Sequence, residues 1–243
     1  MPVAASNKIL AVASALPRLR RSAAELARQF DLPESRITEE LGLIGKAVAQ
    51  GDDEHPVDFC VRAAERALRA MGARAADVGL VIYCGISREY LPSWSVAIEV
   101  IGRLGAPHAL GYDLGLGCAA ALIGVEQALR AHNAQAPLAL VVSAERWSHT
   151  LSKEVPFPLA LIAHADGGAA CVIGEGPGLA LTAIHHEVVP QYNDFVQILA
   201  GGTRLPTSEE TLRAGQHFRT ARRESPDTVL THYVDGYTRV ITK

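Results

Sequence analysis

Cys118 is the residue whose type and neighbours best suit nucleophilic chemistry. The segment before it, YDLGLG, ends an apolar strand-like run, and the segment after it, AAALIGVEQAL, repeats apolar residues at helical spacing. A cysteine in the first turn of a helix faces unpaired N–H groups and a partial positive charge, which favour the reactive thiolate over the thiol. Cys118 is therefore a candidate nucleophile.

Two glycines before Cys118 suit the same chemistry. Gly115 and Gly117 allow a sharp turn and the close approach of a substrate carbonyl, for which the Cys118 N–H is a candidate oxyanion donor. The residues alone leave an alternative open, because a small cysteine also packs well as a buried residue of a strand–helix turn.

The other cysteines indicate core positions rather than a cofactor or a disulfide framework. Cys60, Cys84 and Cys171 lie in apolar segments, with no CxxC pair and no histidine at metal-ligand spacing. We therefore expect no metal and no redox cofactor. Trp147 and His149 follow an apolar strand, and we interpret them as residues of a surface loop.

The composition excludes several classes of protein. The 23 basic and 26 acidic residues give a net charge of −3, so there is no basic field for a nucleic acid. No apolar stretch has the roughly 18–20 residues that a transmembrane helix needs, and the N-terminus does not resemble a signal peptide, so we expect no membrane association and a cytoplasmic location. A hydrophobic fraction of 49% predicts a globular chain of one large or two small domains.

Short apolar runs that alternate with amphipathic segments predict an α/β fold with a mostly parallel sheet. The expected strands are Lys8–Ser14, Val78–Tyr83, Ala109–Leu114, Pro137–Ser143 and Ala169–Gly174, followed by a further strand at Leu179–Val189. The expected helices are Ser22–Phe30, a segment beginning at Val57, Ser93–Leu104 and Cys118–Ala131. The segment 201–227 is polar and interrupted by glycines and prolines, with no long helical period. The last residues, HYVDGYTRVITK, favour the beginning of a strand and a turn.

Five segments carry a family likeness, in order along the chain: ILAVASALP, residues 58–105, YDLGLGCAAALIGVEQAL, HADGGAACVIGEG and LAGGTRLP. Together they resemble the thiolase-fold condensing enzymes, most closely the β-ketoacyl-acyl-carrier-protein synthase III family. The resemblance implies a thiolase-like layered fold that is truncated in its second half. Residues 1–176 would form the N-terminal half and residues 177–243 the beginning of the C-terminal half.

The same resemblance implies roles for individual residues. Cys118 would be acylated by a thioester of acyl carrier protein or coenzyme A, and Gly117 and Ala120 would lie at the substrate pocket. Leu91 would lie on the loop that such dimers insert into each other's acyl pockets. Asp166 matches the entry to a glycine-rich strand, where a structural role is expected.

The chain departs from the family at two places. The segment with the family's catalytic histidine and asparagine is not expected here, and His185 and His186 are consecutive in a predicted strand, so they would point to opposite faces. Where the family holds coenzyme A with tryptophan and arginine, we align Arg36, Glu40 and Pro158. A glutamate repels phosphates and a proline carries no charge, so a carrier-protein thioester is the expected donor.

The sequence therefore predicts an acyltransferase or condensing enzyme of the synthase III type, with carbon or heteroatom acceptors left open, in a homodimer or heterodimer. The alternative is a catalytically silent thiolase-fold subunit that stabilises or shapes an active synthase partner, because half of such a fold would leave an apolar face uncovered. A nucleotide-binding domain is disfavoured, because Ala120 breaks the GxGxxG pattern.

Overall fold

The computed structural model describes residues 6–90, 93–131, 136–155, 157–184, 186, 188, 190, 193–194, 196–221 and 226–241. Its centre is a five-stranded sheet in the order β1-β7-β6-β4-β5. The strands of this sheet are β1 (Asn7–Ala15), β4 (Val78–Tyr83), β5 (Leu110–Asp113), β6 (Leu138–Arg146) and β7 (Asp166–Glu175), and a separate hairpin contains β2 (Leu19–Ser22) and β3 (Gly45–Val48). All five strands that the sequence predicts for the central sheet are confirmed.

Four strands of the central sheet run in one direction. Strand β4 is parallel to both β5 and β6, whereas β7 is antiparallel to its neighbours β6 and β1. The mostly parallel α/β sheet is therefore confirmed, with β7 as the reversed strand. Because β4, β5 and β6 are parallel, their carboxyl ends lie at the same edge of the sheet, and that edge carries the residues described below.

Helices cover both faces of this sheet. The helices are α1 (Ala23–Phe30), α2 (Pro56–Met71), α3 (Val96–Leu104), α4 (Ala120–Arg130), α5 (Glu209–Arg213) and α6 (Pro226–Ile241). Helix α2 packs in the larger hydrophobic cluster with β4, β6 and β7, and α4 packs in a second cluster with Ile82, Val141 and Ile173. No helix in the described part of the chain is long and apolar enough to cross a membrane.

The helix ends follow the sequence signals. Ser22 caps α1, its Oγ accepting from the Glu25 N–H at 3.3 Å while Glu25 accepts from the Ser22 N–H at 2.7 Å. Pro56 begins α2 and Gly72 ends it in the left-handed conformation. Ser95 caps α3, so this helix begins at Val96 rather than at the predicted Ser93.

The hairpin of β2 and β3 lies beside α1 and a third hydrophobic cluster. Ile37, from a π-helical turn at Arg36–Glu40, shares this cluster with Leu161 and Ile162, which belong to a 3₁₀ helix at Leu159–Ala163. Two short strands, β8 (Val196–Ile198) and β9 (Arg219–Ala221), form a second hairpin, which frames α5.

The sequence predictions for the last third of the chain were wrong in two places. In the described residues 179–184 the expected strand is reduced to isolated bridge positions at Leu179 and Ala183. Leu179 and Ile9 exchange backbone hydrogen bonds of 2.9 and 3.0 Å. The terminal segment, expected as a strand and turn, lies in helix α6, which Pro226 begins because proline is well suited to the first turn.

Candidate active site

Cys118 lies on the connection from the carboxyl end of β5 to helix α4. The α-helix begins at Ala120 rather than at Cys118, and a 3₁₀ turn at Gly117–Ala119 contains the cysteine. Gly117 has φ +57°, a left-handed conformation that favours glycine. The glycine turn predicted from the sequence is therefore present, and it places the thiol at the helix entry.

The four cysteines differ sharply in accessibility. Cys118 is exposed, and it makes no hydrogen bond to a residue that the structure describes. Burial raises the pKa of Cys60 well above its usual value, the pKa of Cys84 to about 12 and the pKa of Cys171 to about 11. The raised pKa values keep these three thiols protonated at neutral pH, which leaves Cys118 as the exposed thiol available to a substrate.

Exposed leucines precede and follow Cys118 in the sequence. Leu116 is 52% exposed and Leu122 is 73% exposed, and Leu122 follows Cys118 by four residues, one helical turn. On β5, Tyr112 donates a hydrogen bond of 2.5 Å to Gln127 of α4. The exposed thiol thus lies on the connection between β5 and α4, with one exposed leucine before it in the chain and one after it.

Asp113 fixes the end of β5 before this turn. Its carboxylate accepts from the Ser95 hydroxyl at 2.8 Å, from the N–H groups of Val96 and Ala97 at 3.1 and 3.0 Å, and from Arg88. One acidic residue thereby satisfies the open N–H groups of α3 and ties that helix to the strand that leads to Cys118. Sequence analysis missed this role, although a carboxylate at the end of an apolar strand is a visible signal.

The predicted substrate-binding residues occupy different environments. Gly117 is exposed beside Cys118, whereas Ala120 is 1% exposed and packs in the core with Ile82 and Cys84. Leu91 lies outside the described residues. The substrate-binding roles of all three remain predictions.

The loop after β6 lies at the same edge of the sheet. His149 is exposed, as expected for a surface loop, but Trp147 is half-buried beneath the guanidinium of Arg219, whose centre lies 4.5 Å from the ring centroid. Asp166, at the start of β7, accepts from the N–H groups of Ala49 and Ser148 at 2.7 and 2.8 Å. Its contacts join β3, β7 and the loop.

Of the three residues aligned with the family's coenzyme A site, Arg36 and Glu40 contact each other. Arg36 Nε lies 2.5 Å from Glu40 Oε1, so the two charges pair within one turn. Pro158 directly precedes the 3₁₀ helix that shares a hydrophobic cluster with Ile37. This side of the molecule therefore presents no unpaired arginine at the three aligned positions.

Of the two consecutive histidines, His186 is paired with a residue of α4. His186 Nδ1 lies 3.7 Å from Glu126 Oε2 of α4, and its side chain is 58% exposed. His185 lies outside the described residues. Among the described residues, no group of three or more His, Cys, Asp or Glu side chains could hold a metal ion.

The sequence is similar to those of β-ketoacyl-[acyl-carrier-protein] synthase III proteins. The β-ketoacyl-[acyl-carrier-protein] synthase III of Chlamydia caviae is 28% identical over 214 residues, covering 86% of this chain and 62% of the relative. The synthase III of Sphingopyxis alaskensis is 30% identical over 201 residues, covering 80% of this chain and 60% of the relative. The chain therefore spans about three fifths of the length of these relatives. No family model matches it.

Solved structures show the same fold. A crystal structure of a 3-oxoacyl-(acyl-carrier-protein) synthase III has a TM-score of 0.76 and 22% identity, covering 97% of this chain and 73% of that chain. The priming β-ketosynthase from the R1128 polyketide biosynthetic pathway has a TM-score of 0.62 and 26% identity, covering 70% of this chain and 50% of that chain.

The five-stranded sheet with helices on both faces is that of a thiolase-like fold. Within that class, the chain is a relative of the β-ketoacyl-acyl-carrier-protein synthase III family of condensing enzymes.

Proposed function

We propose that this chain is an acyl-transferring condensing enzyme of the synthase III type, in which Cys118 carries the acyl group. The observation that supports this most directly is the exposed Cys118 thiol at the β5–α4 connection, while the other three thiols have a raised pKa. The synthase III relatives add support, because their name describes enzymes that make β-ketoacyl groups on acyl carrier protein.

The proposed reaction has two half-steps. The Cys118 thiolate attacks the thioester carbonyl, the negative charge moves to the carbonyl oxygen, and collapse expels the donor thiolate to leave an acyl-enzyme. A carbon or heteroatom nucleophile then attacks the acyl carbonyl and releases the Cys118 thiolate. The backbone N–H of Cys118 is the proposed oxyanion donor, with Gly117 allowing the carbonyl to approach the chain.

The proposed donor is an acyl group on a carrier protein rather than on free coenzyme A. Coenzyme A carries anionic phosphates, which need cationic partners. Arg36 is already paired with Glu40 at 2.5 Å, and Pro158 offers neither a charge nor an N–H. A carrier protein makes other contacts and depends less on these positions.

We also propose a division of the chain into two halves, residues that contact the acyl chain, and a dimer. We propose that residues 1–176 form the half with the nucleophile and residues 177–243 belong to the other half. Leu91, Gly117 and Ala120 are proposed to contact the acyl chain, and the chain is proposed to form a homodimer or heterodimer. The identity of the acceptor would determine which pathway the enzyme serves: fatty-acid, polyketide or secondary-metabolite biosynthesis.

The test is mass spectrometry of the intact 243-residue chain after incubation with matched acyl thioesters of carrier protein and coenzyme A. We expect one acyl group on Cys118, none on Cys118→Ser, and an unchanged adduct on the matched control Cys171→Ser. Faster acylation by the carrier-protein thioester is the expected donor preference, and equal rates would refute it.

A second candidate function is a silent subunit of an active synthase. It is favoured by the lack of any hydrogen bond from Cys118 to a described residue, since a working nucleophile is normally oriented by a base. Absence of an acyl adduct on the wild-type chain with every donor, together with capture of an acylated synthase partner, would favour this role instead.

A further inference from the structure

Two buried cations meet close to the end of β6. Lys46 of β3 is 5% exposed and Arg219 of β9 is 3% exposed. The Lys46 ammonium donates to the carbonyl oxygens of Ile162 and His164 at 2.8 and 2.9 Å. Both cations therefore contact the segment that leads into β7.

Arg219 uses only part of its hydrogen-bonding capacity. Its Nη1 donates to His164 Nδ1 at 2.6 Å, and its Nη2 donates a long hydrogen bond of 3.5 Å to the carbonyl oxygen of Trp147. The guanidinium also stacks over the ring of Trp147. Its Nε is buried and has no hydrogen-bond partner. A buried N–H without an acceptor is costly, and a guanidinium in a protein interior is normally paired with an oxyanion.

No carboxylate of the described residues completes this pairing. The ion pairs among those residues involve neither Lys46 nor Arg219. Asp166 accepts from Ala49 and Ser148, and Glu145 accepts from the N–H groups of Ile86 and Ser87 at 2.8 and 3.1 Å. The nearest acids are thus bonded to neutral donors.

Burial and neighbouring charges shift the pKa values of Lys46, His164 and Arg219. Burial brings the pKa of Lys46 down to about 8, with Asp166 opposing this shift and the charge of Arg219 adding to it. Burial brings the pKa of Arg219 down to about 10, and the charges of Glu145 and Asp166 offset only part of that shift. Burial, Arg219 and Lys46 together lower the pKa of His164, which is consistent with a neutral ring that accepts from Arg219. A bound anion would relieve this repulsion and supply the missing acceptor.

We propose that Lys46, His164 and Arg219 form a binding site for a compact oxyanion, a carboxylate or a phosphate group, with Arg219 Nε as one of its donors. The site is built from β3, the segment before β7 and β9, and it does not include the Cys118 thiol. The proposal goes beyond acyl transfer, because anion binding needs no acyl-enzyme.

Titration calorimetry at constant ionic strength, with sodium glutarate and inorganic phosphate as separate probes and sodium chloride as the background salt, tests the proposal. We expect saturable binding of at least one probe, weakened about tenfold or more in Arg219→Gln, as expected when a charged hydrogen-bond donor is lost. The matched control Arg20→Gln, at an exposed arginine, and Cys118→Ser should bind like the wild type.

The pattern of binding identifies the anion. Binding of glutarate alone assigns a carboxylate site, phosphate alone assigns a phosphate site, and mutual competition assigns a general oxyanion site. Absence of binding for both probes, or equal binding by wild type and Arg219→Gln, overturns the proposal. If Cys118→Ser still binds the anion, the anion site exists whether or not Cys118 carries an acyl group. The two proposals can therefore fail independently.

A second measurement uses the wild-type chain, so it does not depend on a variant that fails to fold. The pKa of the Lys46 ammonium, followed by nuclear magnetic resonance of labelled lysine, should rise from about 8 when a binding probe is added, because an anion stabilises the charged amine. The Arg219→Lys variant, which keeps the charge but lacks Nε, should lose most of the shift. An unchanged Lys46 pKa at saturating probe overturns the proposal.

Discussion

The carboxyl ends of β5 and β6 lie at one edge of the sheet, yet they carry opposite kinds of site. After β5, a glycine turn presents an exposed thiol with no hydrogen bond to a described residue. After β6, Trp147 leads into a buried group of cations held by carbonyl oxygens and an aromatic ring. Exposure makes the first region accessible to a large thioester, whereas burial restricts the second to a small anion.

The largest expected effect is the difference in alkylation rate between exposed Cys118 and the other three cysteines. At pH 8 a thiol with a pKa of about 11 has only about a thousandth of its population as thiolate, so Cys171 should react with iodoacetamide very slowly. Peptide mapping after a short labelling pulse should find one label per native chain, on Cys118, and four after unfolding in urea. Rapid labelling of native Cys118→Ser would show that a second thiol is accessible.

The buried-cation side predicts a pH dependence of stability. Lys46 has a folded-state pKa of about 8, below its usual 10.5, so between these values the unfolded chain binds more protons and the free energy of unfolding rises with pH. Relative to Lys46→Met, the wild type should gain up to about 3 kcal/mol as pH rises through this window. Urea denaturation at pH 7, 8.5 and 10, in chloride buffers without carboxylate or phosphate, checks this.

A constant difference between the wild type and Lys46→Met across those pH values would contradict the prediction. The difference between the two chains isolates Lys46 from the tyrosines and cysteines, which titrate at alkaline pH in both.

Asp113 connects the exposed region to the rest of the fold and predicts a smaller loss. Asp113→Asn weakens charged hydrogen bonds to Ser95, Val96 and Arg88, and should lower the free energy of unfolding by about 2 kcal/mol. The same change at exposed Asp52 is the matched control and should have almost no effect. Equal stabilities of the two variants in urea denaturation would argue against this anchoring role.

Glu40 gives the smallest expected effect. Glu40→Gln removes the partner of a partly exposed Arg36, so acylation by coenzyme A thioesters should rise two- to threefold, on the order of 0.5 kcal/mol, with no change for carrier-protein thioesters. Because exposed charges are screened, 0.5 M sodium chloride should abolish the gain. A rise for both donors, or a rise that persists in salt, would exclude the electrostatic explanation.

Local patterns were sufficient to predict the sheet and the nucleophile turn. Apolar runs such as Val78–Tyr83 and the spacing in α2 are properties of neighbouring residues, and Gly117 before Cys118 specifies the turn in a few residues. The family likeness then supplied the expected chemistry of the cysteine, which periodicity alone left open.

Contacts between distant residues could not be predicted in this way. Lys46 and Arg219 are 173 positions apart, and only the folded chain brings both to His164. Helix α6 was missed for another reason. Its β-branched residues and Gly236 have low helix propensity, so the local signal favours a strand and turn although the segment forms a helix.

Strand β1 has a consequence for the order of folding during synthesis. Its partner in the sheet is β7, with Asn7 opposite Glu175. The ribosome must therefore release about 170 residues before β1 can be covered, and such distant pairing is slow to form. Until then, the apolar β1 segment of the nascent chain is open to chaperones and to association with other chains.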